Sequence, residues 1–108
     1  KLSTKKSTSV VYQLRFPKIG RYELVFRMSS TLGELAQLPI SVFLNNTLQQ
    51  TVTLNGTEGQ TMERVVTLPI RQDGEKYMKL YFGESGIDMH RMFLRYVGKN
   101  DIESIRNE

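Results

Sequence analysis

The sequence predicts an all-β fold, an antiparallel sandwich of about seven strands. Three features predict it. Apolar residues recur at every second position from Val10 onward, the spacing of a strand with one face toward a core. Turn-forming residues break these runs at short intervals, in "PKIG", "NN", "NGTEGQ", "RQDGE" and "GESG". No clear helical period occurs before the closing "NDIESIRNE". A closed barrel is the main alternative arrangement for such strands.

The strands follow in order. In "VVYQLRF", Val10, Tyr12, Leu14 and Phe16 share one face, and "PKIG" ends the run because Pro17 has no N–H for a ladder and Gly20 tolerates turn geometry. "RYELVFRMSS" puts Tyr22, Leu24, Phe26 and Met28 on one side and Arg21, Glu23, Val25 and Arg27 on the other. "STLGELAQL" reads as a connection with one short helical turn, and "PISVFLNN" then aligns Ile40, Val42 and Leu44. Asn45 and Asn46 both accept positive φ, so "FLNNTLQQTVTL" reads as a tight hairpin. "MERVVTLPI", "KYMKLYF" and "IDMHRMFLRYV" supply the remaining strands. The expected organisation is a flexible segment over 1–9, a sandwich over 10–98 and a tail over 99–108.

With 108 residues there is material for one core and not for two. Cysteine is absent, which excludes disulfides, thiolate metal sites and thiol nucleophiles. The formal charge of +4 is spread along the chain without a basic cluster or a nucleic-acid-binding motif, so no nucleic-acid partner is expected. No apolar run reaches the roughly 20 residues of a membrane-spanning helix, and "KLSTKKSTS" lacks the apolar stretch of a signal peptide. Without an initiator methionine, the start reads as part of a longer protein.

Catalysis is tested most directly by "YFGESGIDMHRMFLRY", which brings Glu84, Ser85, Asp88 and His90 close in sequence. "GESGI" misses the G-x-S-x-G nucleophile elbow by one residue and runs into a strand, where the elbow needs a helix. Glu84 and Asp88 have the chemistry of a glycosidase pair, but such a pair needs a cleft that desolvates one carboxyl and holds a sugar ring. Ser85, Asp88 and His90 on one short hairpin would project to different faces. His90 is the only histidine, which excludes a His-rich metal site, and no D-x-D-x-D-G calcium loop occurs. The reading is of a protein that is not an enzyme and has no cofactor; a structural calcium held by loop Asp, Glu and backbone carbonyls stays open as an alternative that this sequence does not itself support.

The segments "YQLRFPKIGRYELVFRMSS", "ISVFLNNTLQQTVTL", "MERVVTLPI", "EKYMKLYFG" and "GIDMHRMFLRYV", in that order, resemble family 6 and family 35 carbohydrate-binding modules, which are galactose-binding-like jelly rolls. The resemblance rests on Pro17, Gly20, Tyr22, Leu24, Phe26, Arg27 and Ser30, then Val66 to Pro69, then Met78, Leu80 and Phe82, and finally Gly86 to Leu94. These are mostly core and turn positions, so they speak to fold more than to ligand. The resemblance implies a non-catalytic module that holds a secreted or periplasmic polysaccharide-degrading enzyme near a glycan.

It also implies where the ligand sits. Asp88 falls where the family has a sugar-binding Asn, and His90 and Arg91 fall on the next polar and aromatic positions. Glu84 and Gln60 lie in the adjoining loops and complete the expected ligand-binding set. Two departures stand out. The acidic strand and aromatic loop that open the family, and help to hold a structural calcium there, have no counterpart before Val10. The loop "GTEGQTMERV" has no aromatic where the family carries a stacking Trp. These absences favour a second reading, a structural or interaction domain with a decayed sugar site. Tyr77, Tyr81, Phe43 and Phe93, opposite the core-facing sets, would form its packing patch.

Overall fold

The computed structural model describes residues 2–99. The predicted tail lies outside these residues, apart from Lys99. The described residues form eight strands: β1 (Leu2–Ser3), β2 (Thr8–Phe16), β3 (Gly20–Ser29), β4 (Gln37–Leu44), β5 (Thr47–Asn55), β6 (Met62–Ile70), β7 (Gly74–Phe82) and β8 (Asp88–Gly98). Two antiparallel four-stranded sheets, ordered β1-β8-β3-β6 and β2-β7-β4-β5, face each other as a sandwich and not a barrel.

The two-residue rhythm became the core. Tyr22, Leu24, Phe26 and Met28 from β3 meet Ile40, Val42 and Leu44 from β4 in one buried cluster with Val66, Leu68, Ile70, Met78, Leu80 and Phe82. Phe16 closes one end, its ring edge-on to Tyr22 at 5.0 Å, and Tyr22 in turn meets Tyr96 at 5.1 Å. The Tyr22 hydroxyl donates to the Lys18 carbonyl at 2.7 Å, which satisfies the one polar atom of a buried ring and pins the β2–β3 turn.

Asn45 and Asn46 sit at φ 48° and 68° between paired Leu44 and Thr47, the two-residue hairpin expected from the sequence. The Asn45 side chain also accepts the Tyr77 N–H at 2.9 Å, which ties this hairpin to β7.

Four local expectations are corrected. The sandwich does not begin at Val10: β2 starts at Thr8, and Leu2–Ser3 adds an edge strand to β8, held by Thr4 N–H to the Ile87 carbonyl at 2.8 Å. Hydrogen bonding of the backbone, which leaves no apolar rhythm in a sequence, orders Leu2 to Thr4 and Ser7 to Ser9. Residues 31–36 form bends and a turn closed by Ala36 N–H to the Gly33 carbonyl at 3.0 Å, and no helix. The "GESG" segment is not a hairpin loop, because β7 and β8 belong to different sheets and residues 83–87 cross between them. Ile87 is buried at that crossing, and Gly86 takes φ 108° there.

The fourth correction concerns alternation along β8. Arg27 pairs with Arg91 but Met28 pairs with Met89, so His90 is an extra residue, a β-bulge. Met89 and Met92 therefore both reach the core although they are three positions apart, and His90 and Arg91 both lie on the outer face.

Candidate functional site at the loop end of the sandwich

Strand polarity gathers four connections at one end: residues 4–7, 30–36, 56–61 and 83–87. All five residues expected to bind ligand come to this end or next to it. They do not form one cluster. Glu84 meets Lys6 at 3.5 Å, an exposed ion pair on the β1–β2 side. Asp88 accepts the Ser3 hydroxyl at 2.6 Å, and the His90 Nε2 lies 2.7 Å from the Ser29 hydroxyl. Arg91 stacks its guanidinium over Phe93 at 5.2 Å on the outer sheet face.

Gln60 lies on the other side of β3. It lines a groove of about 630 Å³ between the edges of the two sheets, where β5 and β6 leave the sandwich open. Met28 and Leu54 form the floor, Leu35 and Met62 the apolar walls, and Glu34, Asn55, Glu58, Gln60 and Arg64 the polar rim. Leu35 is 95% exposed and Met62 50%.

The sequence carried a signal for this groove that pattern reading passes over. Met62 and Arg64 share the parity of buried Val66, Leu68 and Ile70, so an arginine occupies an inward position. An inward charge is affordable only where the sheets part and water enters.

The groove is built by two loops that are joined through Thr57 and Ser30. The buried Thr57 hydroxyl accepts the Ser30 N–H at 2.8 Å and donates to the Ser30 carbonyl at 3.0 Å. Gly59 N–H reaches the same carbonyl at 2.7 Å, Glu58 N–H the Leu32 carbonyl at 3.0 Å, and the Asn55 side chain the Glu34 carbonyl at 2.7 Å. Glu58 and Gly59 take φ 53° and 86° to make this turn. Thr57→Val, which keeps the shape and removes the hydroxyl, leaves Ser30 N–H buried without a partner. The expected cost is about 1–3 kcal/mol, read from the denaturation midpoint; an unchanged midpoint would show that the two loops do not depend on this bond.

Glu84, Ser85, Asp88 and His90 are not assembled as a hydrolytic centre. The bonds just described engage Asp88 with Ser3 and His90 with Ser29, and Ser85 is exposed in the crossing segment. Among the described residues, no three His, Asp or Glu side chains come together to hold a metal ion.

The four aromatics proposed as a packing patch are divided between the sheets. Tyr77, Tyr81 and Phe43 share the outer face of β2-β7-β4-β5, with Lys79 lying 4.5 Å over the Phe43 ring, and Phe93 lies on the outer face of the other sheet. Alternation alone marks all four as outward. It does not say which outside.

No family model matches the chain. It is 28% identical over 96 residues to a β-glucosidase from Ruminococcus albus, a match that covers 89% of this chain and 10% of that enzyme. The chain thus spans about a tenth of the length of the curated relative it matches. Among solved structures, it is similar to a family 35 carbohydrate-binding module from Clostridium thermocellum, with TM-score 0.72 and 14% identity over 86% of this chain and 73% of that one. It is also similar to the C-terminal family 6 module of a laminarinase from Zobellia galactanivorans, with TM-score 0.71 and 17% identity over 83% of this chain and 73% of that one. The fold is the β-sandwich of these family 6 and family 35 carbohydrate-binding modules.

Proposed function

We propose that the chain is a non-catalytic glycan-binding module of a longer secreted or periplasmic polysaccharide-degrading enzyme. The groove between the 30–36 and 56–62 segments carries this reading. It combines apolar walls, on which sugar C–H faces pack, with carboxylate, carboxamide and guanidinium groups suited to hydroxyls. The fold shared with carbohydrate-binding modules supports it, as does the similarity to one portion of a β-glucosidase. Binding a polysaccharide beside a tethered enzyme raises the local concentration of substrate without any chemistry in the module itself.

In this reading Gln60 and Arg64 hydrogen-bond the sugar, Glu34 and Glu58 accept from its hydroxyls, and Leu35 and Met62 replace the missing aromatic platform. Asp88, His90, Arg91 and Glu84 extend the surface along the same end for a longer chain. Isothermal titration with a panel of soluble glycans is expected to show heat with at least one. Arg64→Ala with Gln60→Ala is expected to weaken that binding about tenfold or more, the loss of a charge-assisted hydrogen bond. A silent panel would remove the proposal.

A second reading is favoured by one observation. Tyr77 and Val11 are 58% and 57% exposed and share the outer face of β2-β7-β4-β5 with Tyr81 and Leu48. Such an exposed apolar face suits packing on a neighbouring domain of the same polypeptide. The two readings use different surfaces, so Tyr77→Ser with Tyr81→Ser would leave glycan heats unchanged if the groove is the site.

A further inference from the structure

We propose that the outer face of β3 and β8 carries an oxyanion site, formed by Arg27, His90 and Arg91, that takes a sulfate or phosphate ester on a glycan. The register places Arg27 directly opposite Arg91. Across an antiparallel pair this holds two Cα atoms about 4.5–5.5 Å apart, where like charges repel. The same face shows the ordinary remedy further along. Arg95 reaches Glu23 at 2.6 Å, and Arg21 approaches Glu23 at 3.8 Å.

Among the described residues, Arg27 and Arg91 have no such neutralising partner. Glu63 stands across from Arg27 on β6 without coming within ion-pair distance, and Arg91 engages the Phe93 ring. That stacking fixes the plane of the guanidinium while leaving its N–H edge free. The bulge adds a third group, because without it His90 would point into the core and Arg91 alone would face out. His90 uses Nε2 toward Ser29, which leaves Nδ1 for a ligand.

Two planar forks and an imidazole outnumber the two oxygens of a carboxylate, which one guanidinium already satisfies. They match the three terminal oxygens of a tetrahedral ester. Sulfated or phosphorylated sugars supply such a group, and half-buried Phe93 and exposed Val65, on either side of buried Val25, border the site with apolar surface for the ring that bears it. The sugar part rests on the glycan reading above. The anion part stands without it.

The test uses the chain and its Arg27→Gln/Arg91→Gln variant. In the first arm, sodium sulfate or phosphate is titrated against chloride at matched ionic strength and followed by NMR. Shifts confined to the amides around Arg27, His90 and Arg91, absent in the variant, are expected. Uniform or absent shifts would overturn the site whatever the glycan result. In the second arm, a sulfated galactan, its desulfated form, a phosphorylated polysaccharide and polygalacturonate are compared.

At least tenfold tighter, salt-sensitive binding of the sulfated or the phosphorylated polymer is expected, and whichever binds more tightly identifies the ester. The variant should lose it. Equal affinity for the desulfated galactan and both esters would remove the ester, and equal affinity for polygalacturonate would remove the tetrahedral preference. The variant is also expected to melt no lower than the parent, because a like-charge pair has been removed; a marked fall would mean that the arginines serve folding instead.

Discussion

Replacing Gly56 by alanine is expected to destabilise the domain by about 3 kcal/mol or more, the upper end of overpacking costs, and to abolish any ligand binding in the groove. The reason is steric and local. A Cβ at Gly56 would lie far inside van der Waals contact with the carbonyl oxygens of Leu32 and Gly33, which are backbone atoms that cannot swing aside. The loops would have to part, breaking Gly56 N–H to the Ala36 carbonyl and straining the neighbouring Thr57 to Ser30 bonds. Gly33 is a control on the facing loop, since a Cβ there meets nothing within 4 Å. Urea denaturation of Gly56→Ala and Gly33→Ala checks this: near-equal midpoints would mean that the loops are not held in contact.

Phe26→Ala is expected to cost about 3–5 kcal/mol, the range for deleting a fully buried aromatic ring. Phe26 is completely buried at the middle of β3, the central strand that pairs with both β6 and β8. Its loss opens a cavity between sheets that are joined mainly by side-chain packing. A domain of about 100 residues has total stability of roughly 5–15 kcal/mol and shifts its melting temperature by about 4–8 °C for each kcal/mol. The variant should therefore melt about 12–40 °C lower by calorimetry. A fall below 5 °C or so would mean that the interior tolerates a void there.

Much of the fold was written in local pattern. The faces of Tyr22 to Met28 and of Ile40 to Leu44 follow from a two-residue period that any single strand displays, and the Asn45-Asn46 turn follows from the φ preferences of those two residues. The inward Arg64 and the solitary Leu35 also lay in plain view as signs of an open edge. Their meaning depended on knowing that β6 and β5 end their sheets without partners.

The candidate site was less legible because its members are joined by distance in space and not in sequence. Asp88 and His90 carry suitable chemistry, but Ser3 and Ser29 had to be found beside them before their hydrogen-bonding capacity could be judged. A bulge is a mismatch between two strands, so nothing in "DMHRMF" alone says which residue is extra. The pairing of Leu2–Ser3 with β8 is likewise made of backbone bonds, to which side-chain pattern is blind.

By itself, then, the sequence determined the seven longer strands, the inward sets of β2, β3 and β4 and the tight turn, because these depend on neighbours along the chain. Only the tertiary structure decided which sheet each strand joined, where the sandwich opened into a groove and which charges came to face one another. Those outcomes are set by packing among residues distant in sequence, where moving one strand by one position exchanges its buried and exposed faces.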